Sequence, residues 1–241
     1  MTGGLNSTDA EVSGKKVIIA LDGVGGTGKM PETLALAIKW TGSGHTVQKF
    51  FWTHGIGQPL KDLQDRDNIE KKSLELFALL QTLLAEGASV QLVAKSGGSI
   101  IAVKALERLP ASSVVSVVLL SPAISPGYDL SVALRAVDKK MICFYSKFDK
   151  IYLSLGTSVF GTSDGVRGAS AGCVGFEAPA AECAEAEQYS KLEQVPWAPS
   201  MLTQLHIGMH LGNSMLPWLL KYVVPVLRYD EEDVRAEIGL R

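Results

Sequence analysis

Apolar runs of five to seven residues recur along the chain, separated by segments with helical spacing. Val17–Leu21 reads as a strand and Glu32–Trp40 as the helix that follows it. Thr46–Trp52 is a second strand. Ile69–Glu86 is amphipathic, because Leu76, Phe77, Leu80, Leu83 and Leu84 fall on one helical face before Gly87 stops the helix. Val90, Leu92 and Val93 mark a buried strand, and Ile100–Leu109 a helix ended by Pro110. Val114–Leu120 is a very apolar strand, Leu130–Val137 a short helix and Met141–Tyr145 another strand. The last helix is Leu216–Leu227, bent or interrupted at Pro225.

Alternating strands and helices predict an α/β fold, a mostly parallel sheet covered by helices on both faces. At 241 residues the chain suits one substantial domain, expected over 16–241 behind a loose Gly/Ser-rich tail at 1–15. Residues 150–200 break the rhythm, with six glycines from Gly156 to Gly175 and then an Ala/Glu-rich stretch to Tyr189. This segment is expected to be an insertion before the last helix, carried by the same domain and bordering its pocket.

One turn concentrates the candidate chemistry. Between the strand at 90–93 and the helix at 100–109 lies Ala94-Lys95-Ser96-Gly97-Gly98. A sharp strand-to-helix turn crowds the backbone, which only small residues two positions either side of the serine permit. It lifts the hydroxyl clear of the sheet and leaves the Gly97 N–H facing the same space. Ser96 is therefore the candidate nucleophile, and Lys95 is expected to be solvated.

Asp22-Gly23-Val24-Gly25-Gly26-Thr27-Gly28-Lys29-Met30 follows the first strand and fits three motifs. Gly23 to Lys29 has P-loop spacing, but Met30 stands where a magnesium-binding Ser or Thr belongs, and Pro31 lacks an N–H for a phosphate. Gly23, Gly25 and Gly28 match a dinucleotide fingerprint, yet no Asp or Glu lies between Glu32 and Asp62 to grip a ribose. In the third reading the loop is half of an oxyanion hole, the Val24 N–H pairing with that of Gly97. A plain tight turn remains the bland alternative.

A serine needs a base, and the base an orienting acid. Met141-Ile142-Cys143-Phe144-Tyr145-Ser146-Lys147-Phe148-Asp149 is a strand and turn ending in an acid, so Asp149 is preferred, with Asp164 and Asp129 open. His45 and His54 come too early. His206 and His210 lie in a Gly-flanked segment before the last helix. His210 is preferred because Gly208 and Gly212 suit a loop base and Asn213 or Ser214 can cap the helix, while His206 stays open. A zinc site on this pair is disfavoured by those glycines and by the lack of a third ligand. No metal is expected.

The formal charge of −2 and the absence of a Lys/Arg block argue against nucleic-acid partners. Cys143, Cys173 and Cys183 are unpatterned and suit reduced thiols, hence a cytoplasmic protein. No secretion signal and no membrane span are expected.

Taken together, Asp22-Gly23-Val24-Gly25-Gly26, Ala94-Lys95-Ser96-Gly97-Gly98, Asp149 and Gly208-Met209-His210 resemble the α/β-hydrolases. The resemblance runs from Lys16 to about Arg228 and implies a minimal core lacking the family's first two strands. Ala94 departs from the usual Gly, as in some small lipases, and Asp22 from a frequent His. Leu119-Leu120-Ser121-Pro122-Ala123 and Phe160-Gly161-Thr162-Ser163-Asp164-Gly165 are similar to uncharacterised bacterial members. The resemblance implies a Ser96–His210–Asp149 acyl-enzyme mechanism on carboxylic esters or thioesters, an oxyanion hole at Val24 and Gly97, and no cofactor. Phe160, Val174 and Phe176 suggest an apolar acyl site. A nucleotide-binding enzyme and a catalytically silent scaffold are the alternatives.

Overall fold

Alternate residues of each strand feed opposite sides of one sheet. A computed structural model describes residues 14–149, 161–180, 183 and 186–228. Among these are six strands: β1 (Lys16–Leu21), β2 (Thr46–Lys49), β3 (Ser89–Lys95), β4 (Val114–Leu120), β5 (Val137–Tyr145) and β6 (Leu192–Pro196). All pair in parallel, in the order β2-β1-β3-β4-β5-β6. The helices are α1 (Lys29–Thr41), α2 (Pro59–Gln64), α3 (Arg66–Ala85), α4 (Gly98–Leu106), α5 (Ser131–Arg135) and the one-turn α6 (Ala171–Val174) and α7 (Ala186–Tyr189). The last helix, α8, starts as Leu216–Trp218, widens to a π-helix over Leu219–Val223 and resumes as Val224–Arg228.

The two-residue period of a strand divides the core into two layers. Val17, Ile19, Leu92, Ala94, Val117, Leu119 and Cys143 pack against α3, α4 and α5. Ile18, Ala20, Val93, Val118, Leu120, Ile142 and Phe144 pack against α1 and α8. Burial on both faces explains why these strands read as continuous apolar runs.

The predicted elements are present, with shifted ends. α3 starts earlier than Ile69, where the Asp65 side chain accepts from Asn68 N at 2.9 Å and caps it. β2 stops at Lys49, and Phe51 is left exposed while Trp52 turns fully inward. Pro225 has no N–H to donate, and α8 widens to π geometry just ahead of it. One strand was missed: β6 lies inside the segment that breaks the alternating rhythm. Leu192-Glu193-Gln194-Val195-Pro196 is a half-buried edge strand with two polar residues and a terminal proline, which an edge tolerates.

The chain leaves β1 for β2 on one side and returns to place β3 on the other side of β1. This reversal opens a crevice between the carboxyl ends of β1 and β3, where α/β sheets build their sites. The loop after β1 is the glycine segment, and the turn after β3 carries Ser96. No helix among the described residues is long and apolar enough to cross a membrane.

Candidate active site

Ser96 occupies a left-handed backbone conformation, φ 49°, at the end of β3. For a residue with a Cβ this costs about 1–2 kcal/mol, so the surrounding packing must hold it. That packing is glycine-dependent. A Cβ on Gly98 would stand 2.5 Å from Asp22 O, and one on Gly97 would stand 2.8 Å from Val24 Cγ1 and 3.0 Å from the Trp52 ring. On the opposite side, a Cβ on Gly23 would sit 3.2 Å from Ser96 Cβ. The two loops therefore touch, Gly23 against Ser96 and Val24 against Gly97. The elbow backbone is tied to the next strand by Ser96 N to Leu120 O at 3.0 Å and Ala123 N to Ser96 O at 3.1 Å.

Hydrogen bonds in the glycine loop anchor the amides on either side of Val24. Gly23 N donates to Asp22 Oδ1 at 2.8 Å, and Gly25 N donates to Asp62 Oδ2 at 2.7 Å. The N–H groups of Val24 and Gly97 have no acceptor among the described residues. The same bonds argue against a nucleotide. Thr27 Oγ1 also donates to Asp22, at 3.1 Å, so two carboxylates occupy the loop where a phosphate would need N–H groups.

At the carboxyl end of β5 the chain turns through Ser146 to Asp149, with Asp149 N donating to Ser146 O at 3.0 Å. His210 Nδ1 meets Asp149 Oδ2 at 2.8 Å, with the carboxylate buried and the histidine 9% exposed. Three further bonds hold the histidine segment to the sheet. Ser146 Oγ donates to Gly208 O at 2.6 Å, Asn213 Nδ2 to Ser121 Oγ at 2.9 Å, and Lys95 Nζ to Ser214 Oγ at 2.5 Å. Ser121 directly follows β4 and Lys95 ends β3, so the segment carrying His210 is tied to the strand ends on either side of the Ser96 turn. A buried carboxylate on Nδ1 fixes the tautomer with a proton there and leaves Nε2 as the basic nitrogen.

His206 is arranged differently. Its Nδ1 accepts from Gly208 N at 3.1 Å, and its ring lies edge-on to Trp218 with centroids 5.2 Å apart. Burial pushes its pKa down to about 4, helped by the Lys95 charge and opposed by Asp149. It is a packed, neutral histidine. Only glycine fits at 212, because a Cβ there would stand 2.2 Å from His206 Nδ1.

Asp164 binds Ser125 through its backbone N at 2.9 Å and its hydroxyl. Asp129 accepts from Ser131 N at 2.8 Å. Both alternatives to Asp149 are thus engaged elsewhere, Asp129 in a local turn and Asp164 with a residue 39 positions before it. Lys95 corrects the expectation of a solvated side chain: it is 5% exposed, and burial lowers its pKa to about 8 against the pull of Asp22 and Asp149. Of the three residues offered as an acyl wall, Phe160 lies outside the described residues. Val174 is exposed on α6. Phe176 is 5% exposed within the main core, its backbone N and O both bonded to the Gln194 side chain of β6, which makes it a packing residue and not an open wall.

Several supports were not legible in the sequence. Trp52 wedges between the two loops, its Nε1 donating to Asp22 O at 2.8 Å while its ring lies over Gly97. His54 and Asp62 clasp the glycine loop from the far side. Trp52 and His54 follow the end of β2, and Asp62 lies on the six-residue α2, too short for periodicity to report which way a side chain turns.

No protein-family model and no curated protein matches the chain. Solved structures do. Lipase B of Aspergillus fumigatus aligns over 93% of this chain with a TM-score of 0.52 and 14% identity. The LpqC poly(3-hydroxybutyrate) depolymerase of Bordetella parapertussis aligns over 92%, also at 0.52, with 12% identity. The chain spans 55% of the length of the lipase and 83% of that of the depolymerase. At such identities the likeness is one of fold.

Proposed function

On the α/β-hydrolase fold that this chain has, we propose a serine hydrolase that cleaves a carboxylic ester or thioester through an acyl-enzyme. The observation that carries this reading is the buried Asp149–His210 pair, on a segment that Ser214 ties to Lys95, next to a serine held at positive φ. Ser96 Oγ attacks the substrate carbonyl while His210 Nε2 takes its proton. Asp149 holds Nδ1 and stabilises the imidazolium. The N–H groups of Val24 and Gly97 receive the oxyanion, and removing one such donor costs about 10²–10³-fold in rate. Collapse of the tetrahedral species expels the alcohol or thiol, which takes the proton from His210. Water then repeats the sequence on the acyl-enzyme and frees the acid. No step calls for a metal or an organic cofactor.

Apolar surface around the acid and base favours an apolar acyl or alcohol group. Phe148 precedes Asp149, Ile207 and Leu211 flank His210, and Val174 lies next to Cys173, whose thiol donates to Asp149 O at 3.3 Å; all four apolar side chains are exposed. Val174 keeps its place in the proposed acyl site, and the 150–200 segment its place at the pocket border. The free thiols of Cys143, Cys173 and Cys183 fit a reducing compartment such as the cytoplasm.

Treatment with a fluorophosphonate, followed by peptide mapping, tests the assignment. The adduct is expected on Ser96 and absent from Ser96→Ala. Labelling that survives the substitution would overturn the nucleophile, and folded protein that takes no label would point to a silent scaffold.

A further inference from the structure

We propose that Asp62 on α2, together with His54, is the positioning device of the oxyanion loop. The inference rests on the serine-hydrolase reading and adds to it residues that touch no substrate. Asp62 is fully buried, a costly place for a carboxylate unless its oxygens are filled. They are. Oδ2 accepts from Gly25 N at 2.7 Å, and Oδ1 accepts from His54 N at 2.7 Å and faces His54 Nδ1 at 2.9 Å. The opposite ring nitrogen, His54 Nε2, stands 3.0 Å from Asp65 Oδ2 at the start of α3. Each ring nitrogen of His54 therefore faces a carboxylate. The Asp62–His54 pair thus joins the loop after β1, the loop after β2 and the start of α3.

The bond to Gly25 has a consequence one residue earlier. Gly25 and Gly26 have φ of 85° and 62°, and a Cβ on Gly26 would stand 2.6 Å from Thr53 Oγ1, so the loop is folded tightly onto the segment that carries His54. Asp22 fixes the N–H of Gly23 and Asp62 fixes that of Gly25. The peptide between these anchors has little freedom left, and its N–H is that of Val24. Trp52 and the Val24 side chain, both against Gly97, set the loop's distance from the elbow. Asp62 sets its tilt.

Asp62→Asn tests this. Asparagine keeps one acceptor oxygen but turns an NH₂ group toward a donor, so either Gly25 or His54 loses its bond. Rates are counted per serine titrated with fluorophosphonate, which removes any change in folded fraction. The expected result is a fall in kcat of about 10–100-fold with KM within a few-fold, because the lost contact is made by the oxyanion and not by the ground state. Affinity for a boronic acid, which forms a tetrahedral adduct on the serine, should fall in proportion. His54→Ala should cost less, about 3–10-fold, and the double variant should match Asp62→Asn alone, since both act through one bond.

Wild-type kcat per titrated site in Asp62→Asn, or an unchanged boronate affinity, would overturn the proposal. Additive losses in the double variant would remove His54 from it. If Asp62→Asn does not fold, His54→Ala carries the same kcat and boronate comparison. A wild type that takes no fluorophosphonate overturns the hydrolase reading instead. The clasp is then judged by amide exchange over residues 23–28, where faster exchange in Asp62→Asn upholds it and unchanged exchange removes it.

Discussion

His206 and His210 lie four residues apart in one segment, both are buried, and they do opposite things. His210 presents Nδ1 to a carboxylate at 2.8 Å, whereas His206 presents Nδ1 to the backbone N–H of Gly208 at 3.1 Å. A carboxylate requires a proton on Nδ1, and an amide N–H forbids one. In the proposed mechanism the first histidine takes the serine proton, and the second is held neutral. Burial does not separate them, and neither does neighbouring sequence, since each is followed by a glycine two residues on. The difference lies in what the fold brings to one nitrogen.

Substitutions can break this comparison in order of effect. His210→Ala should lower kcat/KM by on the order of 10⁴-fold or more, because the serine loses its base. Steady-state turnover of a short-chain nitrophenyl ester checks this, and near-wild-type turnover would transfer the role to another residue. Asp149→Asn keeps the shape of the pair but offers an NH₂ where an acceptor is needed. It should cost about 10³–10⁴-fold in kcat while leaving fluorophosphonate-accessible Ser96 in place. His206→Asn should leave turnover within about fivefold, because Asn Oδ1 can still accept from Gly208 N, and should lower stability by about 1–2 kcal/mol in urea titration.

The smallest effect sharpens the comparison through pH. His206 in the folded chain binds a proton only near pH 4, against 6.5 for the ordinary side chain. Between those values the unfolded chain takes up the proton first. The stability due to a neutral His206 is complete above about pH 6.5 and drains away as pH falls toward 4, by about 3 kcal/mol in total. Urea midpoints measured across that window should show the loss in wild type and a shallower acid limb in His206→Asn. Equal slopes in the two proteins would mean that His206 is not the group responsible.

The same contrast shows how far a sequence reads. The elbow was legible because its residue types are chain neighbours, a strand, a serine and two glycines in a row, although the atoms that crowd Gly97 and Gly98 come from residues 21–24 and Trp52. The core strands were legible because burial on both faces leaves an unbroken apolar run. β6 was not, since an edge strand with Glu193 and Gln194 half-exposed carries no such signal. Lys95 was misread for a related reason. A lysine is expected in water, and only the arrival of Ser214 from 119 residues downstream provides its buried ammonium with a partner.

By itself, then, the sequence determined the alternating architecture, the two glycine turns and a short list of acids and bases, all of which follow from spacing along the backbone. Tertiary structure alone decided which histidine meets the acid, that Asp62 holds the Gly25 amide of the glycine loop, and that His54 holds Asp62. Those choices rest on hydrogen bonds between segments many residues apart, and their partners are set by strand order and not by sequence distance.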